Sequence, residues 1–215
     1  MIVHPAIEQY LNQFAPLPHP VLAKMAEYAK SCDFPIVGPL VGRLLYLLIE
    51  YGHVHTVLEC GSGFGYSALW MALALPENGN ITCIEYDRAN IDRAKKYFDQ
   101  AGVLHKVTFL NGNALDIVPT LPGTYDFIMN DVEKSQYPDL LPLLISRLRV
   151  GGLLVTDNVL WKGEVIANNR EGNAAYVHQY NQMLYQENAL FTTMLPLRDG
   201  LSLSIKLQRG EPDIA

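Results

Sequence analysis

The sequence predicts an α/β fold: a doubly wound, mostly parallel seven-stranded sheet with helices on both faces. Three observations predict it. From His55 onward, short apolar runs alternate with helical patterns, the signature of βαβ units. The first apolar run ends in a glycine-rich loop, Gly61-Ser62-Gly63-Phe64-Gly65, directly ahead of a helical pattern. The last two apolar runs flank the short connection Pro196 to Gly200 and read as an antiparallel hairpin at the sheet edge.

The elements follow in order. Ile7, Tyr10, Leu11 and Phe14 are spaced for a helix over residues 6–14, which Pro16, Pro18 and Pro20 stop. Further helices are expected over 21–30 and 39–51, with Pro35 between them. Strands follow over 56–60 and 80–85, each leading into a helix, over 66–75 and 89–101. Strands over 107–110, 125–129 and 153–156 come next, with a helix over 140–148 between the last two. A helix over 173–188 precedes strands over 191–195 and 201–207. The last strand reads Leu-Ser-Leu-Ser-Ile-Lys-Leu, an alternation that leaves one face wet. Two segments result: an N-terminal helical arm, 1–54, and one structural unit, 55–215.

Composition narrows the class. The chain has 215 residues, 49% hydrophobic and 18% charged, which excludes a disordered chain and a coiled coil. The net charge of −6 removes a basic footprint for nucleic acid at the whole-chain level. Cys32, Cys60 and Cys83 share no metal-like spacing, and the latter two sit inside apolar runs as small buried hydrophobes. Such cysteine usage suits a reducing compartment. Met1-Ile-Val-His-Pro has no signal-peptide character, and the most apolar stretch, Leu44 to Ile49, is too short for a membrane span. A soluble cytoplasmic protein is expected.

Ligands of open α/β sheets bind beyond the carboxyl ends of the strands. After the first strand come the glycines; after the second comes Glu85, 24 residues past Gly61. A carboxylate there can accept both hydroxyls of a ribose. The sixth position of the loop is Tyr66 and not Gly or Ala, so a pyrophosphate is not called for. S-Adenosylmethionine fits better than NAD; a plain tight turn is the competing explanation of the glycines. After the fourth strand comes Asp131, with Lys134 and Tyr137 beyond it; after the fifth come Asp157 and Asn158. If these strands are neighbours, two carboxylates and an amide oxygen converge. That donor set suits Mg²⁺, Mn²⁺ or Ca²⁺, not zinc. Helix capping by Asp131 and an Asp-Asn turn are the competing explanations.

The run Val57-Leu-Glu59-Cys-Gly61 through Gly65-Tyr66-Ser67, then Glu85, Asp131…Lys134…Tyr137, Asp157-Asn158…Trp161 and Asp199-Gly200 resembles the cation-dependent O-methyltransferases. Catechol and caffeoyl-CoA O-methyltransferases belong to that group. The resemblance covers about residues 35 to 207. It implies a Rossmann-like class I methyltransferase sheet. It also implies S-adenosylmethionine bound by Glu59, Gly61, Gly63, Gly65, Ser67, Glu85, Asp131 and Tyr137, and a cation, Mg²⁺ foremost, on Asp131, Asp157 and Asn158. Lys134 becomes the candidate general base, and Trp161 and Asp199 the acceptor pocket. A small aromatic vicinal diol is the expected acceptor and a homodimer the expected assembly. Tyr137 as a structural tyrosine, Trp161 as a buried tryptophan and Asp199 as a turn residue stand beside these roles. The arm is also similar to a bacterial branch that methylates 5-hydroxyuridine at a tRNA wobble position, so tRNA is the alternative substrate. The chain departs from the family pattern at Asn130, usually apolar, at Val132-Glu133, usually Ala-Asp, and in its glycine loop, Gly61-Ser62-Gly63-Phe64-Gly65 where the family usually has Gly-Thr-x-x-Gly.

Overall fold

The computed structural model describes residues 2–208. Met1, and with it the start of the signal-peptide reading, and residues 209–215, the end of the unit predicted over 55–215, lie outside the described residues.

Three helices open the chain: α1 (Pro5–Asn12), α2 (Pro20–Ser31) and α3 (Gly38–Tyr51). His19 caps α2, its ring nitrogen accepting from the Val21 N–H at 3.3 Å, and Pro20 takes the first helical position, where no N–H is needed. Strands and helices then alternate as β1 (Thr56–Cys60), α4 (Tyr66–Ala74), β2 (Asn80–Glu85), α5 (Arg88–Gln100) and β3 (Val107–Asn111). Next come α6 (Ala114–Ile117), β4 (Tyr125–Asn130), α7 (Tyr137–Arg147), β5 (Leu148–Asp157), α8 (Gly172–Gln186), β6 (Leu190–Leu195) and β7 (Leu201–Lys206).

The seven strands form one sheet in the order β3-β2-β1-β4-β5-β7-β6. The first five run parallel, and β7 is antiparallel to both β5 and β6. The pairing of β4 with β5 and the antiparallel hairpin at the sheet edge are as the sequence predicts. Because strand residues alternate between faces, each strand feeds two cores. Val57, Phe127, Met129 and Val155 join Leu22, Met25, Leu45 and Trp70 on one face. Leu58, Ile128 and Leu154 join Leu140, Leu144, Val177 and Leu184 on the other. Thus α2 and α3 of the arm share a core with the sheet. Burying a Leu, Met or Val side chain fully contributes roughly 1.5–3 kcal/mol, so these contacts hold the arm down.

Three expectations shift. β5 starts at Leu148, five residues before the expected strand, because Gly151 and Gly152 bend a continuous strand and break its apolar pattern. The short α6 is unforeseen; one helical turn is below the length at which periodicity shows. α1 has the expected spacing yet buries no residue, and Ile7, Tyr10 and Phe14 are more than half exposed. Cys60 and Cys83 are buried and unpaired, and Cys32 is exposed. Among the described residues no helix is long and apolar enough to cross a membrane.

Candidate active site

A cavity of about 1330 Å³ opens at the carboxyl ends of β1, β2, β4 and β5. Parallel strands bring the backbone to this edge, and the loops that follow them make its walls.

The loop after β1 is shaped by close approach. Gly61 has φ +82°, and a Cβ there would strike the carbonyl of Asp131. The Asp131 N–H donates to the Cys60 carbonyl at 2.9 Å, so the ends of β1 and β4 are drawn together. Gly65, with φ +88°, starts α4, and a Cβ there would press on the Phe98 ring. Both positions require glycine, for φ and for space.

Glu85 ends β2 and is 4% exposed. The Gly63 N–H donates to its Oε2 at 2.8 Å. The Asp87 N–H and Asn90 Nδ2 donate to Oε1 at 2.9 and 3.3 Å. Three donors on a carboxylate with about four acceptor positions fix its place and leave room for a further hydroxyl. Behind the loop, Glu59 is fully buried; the Ser67 hydroxyl donates to one oxygen at 2.5 Å and the Cys83 thiol lies 3.8 Å from the other. Burial pushes the Glu59 carboxyl up to about 8.

β4 and β5 pair in parallel with Asn130 opposite Thr156, so Asp131 and Asp157 leave adjacent strands at one level. Lys134 Nζ lies 2.7 Å from Asp131 Oδ1 and 3.3 Å from the Val132 carbonyl. Burial raises the Asp131 carboxyl, and the Lys134 charge opposes that rise. Burial, with the Asp131 charge added, pushes Asp157 up to about 7. Two carboxylates facing one buried spot repel unless a positive charge joins them. Asn158 follows, with its N–H on Asp157 Oδ1 at 2.8 Å. The donors gathered here are oxygens alone, the hard set that suits Mg²⁺, Mn²⁺ or Ca²⁺. Among the described residues no three His, Cys, Asp or Glu cluster at metal-binding distance, so the set rests on two carboxylates and one amide.

The structure brings Gly61, Gly63, Ser67, Glu85, Asp131 and Lys134 onto the cavity wall together with Asp157, Asn158, Trp161 and Asp199. Glu59, Gly65 and Tyr137 are not on that wall. Tyr137 is fully buried, and its hydroxyl donates to the Asp157 carbonyl at 2.9 Å, which props up the end of β5.

The sequence from residue 18 to 207 matches the family model described as O-methyltransferase. The chain belongs to the O-methyltransferase family. It is 35% identical over 179 residues to a catechol O-methyltransferase of Niastella koreensis, spanning 79% of this chain and 81% of the relative. It is 33% identical over 175 residues to caffeoyl-CoA O-methyltransferase 1 of Arabidopsis thaliana, spanning 75% and 68%. The crystal structure of the O-methyltransferase TomG from Streptomyces achromogenes, in complex with S-adenosylmethionine, superposes with a TM-score of 0.86 at 27% identity, covering 94% of this chain and 96% of that one. This O-methyltransferase is therefore an enzyme of methyl transfer to a hydroxyl oxygen.

Sequence reasoning missed part of the O-methyltransferase cavity. Phe34, Pro35 and Ile36 of the arm line it, as do Tyr86 and Arg198. Neither apolar periodicity nor motif spacing marks these residues, because the arm reaches the site through a loop. Asn90 alone carried a signal: it falls in the first turn after Glu85, where a side chain can return to the strand end.

Proposed function

We propose that this O-methyltransferase uses S-adenosylmethionine and a divalent cation to methylate one hydroxyl of a small aromatic vicinal diol. The observation that carries the reading is the meeting of Asp131, Asp157 and Asn158 on the wall that also holds Glu85 and the glycine loop. Relatives named catechol and caffeoyl-CoA O-methyltransferase favour such an acceptor.

Each part of the wall has a task in this reading. Glu85 would accept from a ribose hydroxyl at its remaining acceptor position, and the backbone at Gly61 and Gly63 would face the amino-acid end of the cofactor. Asp131, Asp157 and Asn158 would hold the cation. Such an ion would supply Lewis acidity that lowers the pKa of the acceptor hydroxyl. In its neutral amine form, Lys134 would receive the hydroxyl proton at Nζ and become the ammonium that pairs with Asp131. Trp161 and the arm residues Pro35 and Ile36 supply the apolar face against which an aromatic ring packs and exclude water from the transfer. Holding the two reactants in line can remove roughly 7–11 kcal/mol of barrier. The exposed apolar face of α1 is the surface for a homodimer.

The test is transfer of a labelled methyl group, run in parallel on catechols, on hydroxycinnamoyl compounds and on tRNA lacking its wobble methyl group. The reading expects turnover of a vicinal diol and none of its monohydroxy analogue. Turnover confined to tRNA would replace the diol with hydroxylated uridine.

A further inference from the structure

Asp199 sits at the β6–β7 turn on the cavity wall, and both of its carboxylate oxygens are engaged by the loop that follows β5. Its Oδ2 accepts from Asn158 Nδ2 at 3.4 Å, and its Oδ1 accepts from the backbone N–H of Lys162. Its own carbonyl accepts from the Leu160 N–H at 3.0 Å, and the Gly200 carbonyl accepts from the Val159 N–H at 3.1 Å. The turn thus takes four donors from the loop that follows β5. From its other side, the Arg198 guanidinium donates to the Ile36 carbonyl at 2.6 Å, which ties the turn to the arm.

That loop is held in an unfavourable backbone conformation. Asn158, Trp161 and Lys162 have φ of +58°, +38° and +55°, and Arg198 in the turn has +52°. Among the described residues, four of the six non-glycine residues with positive φ meet at this joint. Such conformations persist only where surrounding bonds over-determine them.

We propose that Asp199 is a positioning residue that sets which end of the Asn158 amide faces the cavity. The proposal rests on the cation reading above. A carboxylate accepts and cannot donate, so only the NH₂ end of Asn158 can face Asp199. The amide oxygen is thereby the end left for the cavity wall, on which Asn158 lies. The same carboxylate, through Lys162, holds the loop that carries Trp161. Asp199 then acts on a cation through Asn158, not by touching it.

The test is Mn²⁺ affinity, read from the electron paramagnetic resonance of the free ion. Wild type, Asp199→Asn and the double variant Asn158→Asp with Asp199→Asn are compared. The Asp199→Asn change keeps an oxygen for the Lys162 N–H but offers an NH₂ to Asn158, so the Asn158 amide turns over. Affinity should fall about tenfold or more, as it does when a partner that orients a metal ligand is lost. The double variant offers a carboxylate oxygen from either end of residue 158, with the new amide at position 199 donating to it, and should return to near wild-type affinity. S-Adenosylhomocysteine affinity and Tm should stay near wild type in both variants.

Equal Mn²⁺ affinity in wild type and Asp199→Asn overturns the proposal alone. So does a loss that the double variant does not rescue. Failure of the wild type to bind Mn²⁺ overturns the cation reading and this proposal with it. Should the variants fold poorly, hydrogen exchange of the Asn158 side-chain amide in the wild type decides: protection is expected, and exchange at the rate of a free amide overturns the proposal.

Discussion

Lys134 Nζ lies 2.7 Å from Asp131 Oδ1, with only 10% of the lysine side chain exposed. The amine head so kept from water lies against the Asp131 carboxylate and the Val132 carbonyl, with Nζ 5.1 Å from the Tyr137 ring centroid. Residues three apart on a turn face the same way, which is why the Asp-x-x-Lys spacing delivers the pair.

Lys134→Met keeps the stem and removes the amine. Turnover should fall by roughly 10²–10⁴ with S-adenosylhomocysteine affinity nearly unchanged. Lys134→Arg keeps the charge but cannot take up a proton, and should be nearly as slow. Single-turnover kinetics measures both. A fast arginine variant would assign Lys134 to charge balance beside Asp131 and away from proton transfer.

Glu85→Ala removes a charged acceptor that three donors hold in place. Cofactor binding should weaken by roughly 1.5–3 kcal/mol, or about 10- to 150-fold, on calorimetric titration with S-adenosylhomocysteine. Glu85→Gln should lose less, because one acceptor oxygen remains for a ribose hydroxyl.

Much of this was legible in the residues. The strand–glycine–helix order at Thr56 to Ala74 and the alternating β7 encode local structure in periods of two and 3.6, and those segments fall where the sequence puts them. The face of β7 expected to be wet is not, since Ser202 and Ser204 are fully buried and Ile205 is 45% exposed. The convergence of Asp131 and Asp157 was legible too, because winding order makes β4 and β5 neighbours. What stayed hidden depends on contacts distant in sequence. The arm's Phe34 reaches Gly63 of the loop, Arg198 reaches Ile36, and Asp199 reaches Asn158 across 41 residues. No local pattern reports such pairs. Tyr137 was open between a cofactor contact implied by the resemblance and a structural tyrosine, and its hydroxyl donates to the Asp157 carbonyl.

Glu59 sets a pH dependence of stability. Its folded value of about 8 lies above the value near 4.3 of an unfolded glutamate. Between those values the folded chain holds a proton that the unfolded chain has lost, so stability falls as pH rises from about 4 to 8. Asp157, raised to about 7, acts in the same direction. Glu59→Gln should flatten the fall of Tm across that window without removing it, as followed by circular dichroism.

Asp126 works in the opposite sense. At the amino-terminal edge of the sheet it accepts from the His55 and Thr56 N–H groups at 2.9 and 2.8 Å and pairs with Arg149. Although partial burial pushes the other way, the Arg149 guanidinium and these donors hold its carboxyl down at about 2. Its contribution is present above the unfolded value near 3.9 and is lost as pH falls through 2. Asp126→Asn should cost roughly 1.5–3 kcal/mol in urea unfolding at neutral pH and much less near pH 2. Because it lies at the opposite strand ends from the cavity, turnover of the folded variant should be unchanged.

The most direct measurement is methyl transfer to a vicinal diol after exhaustive chelation, followed by return of Mg²⁺ or Mn²⁺, in the wild type and in Asp157→Ala. The account predicts that chelation abolishes turnover and that either ion restores it. It predicts that Asp157→Ala stays inactive at every ion concentration while still binding S-adenosylhomocysteine. Full turnover in the chelated wild type would contradict the account, leaving an O-methyltransferase whose acceptor is activated by protein groups alone.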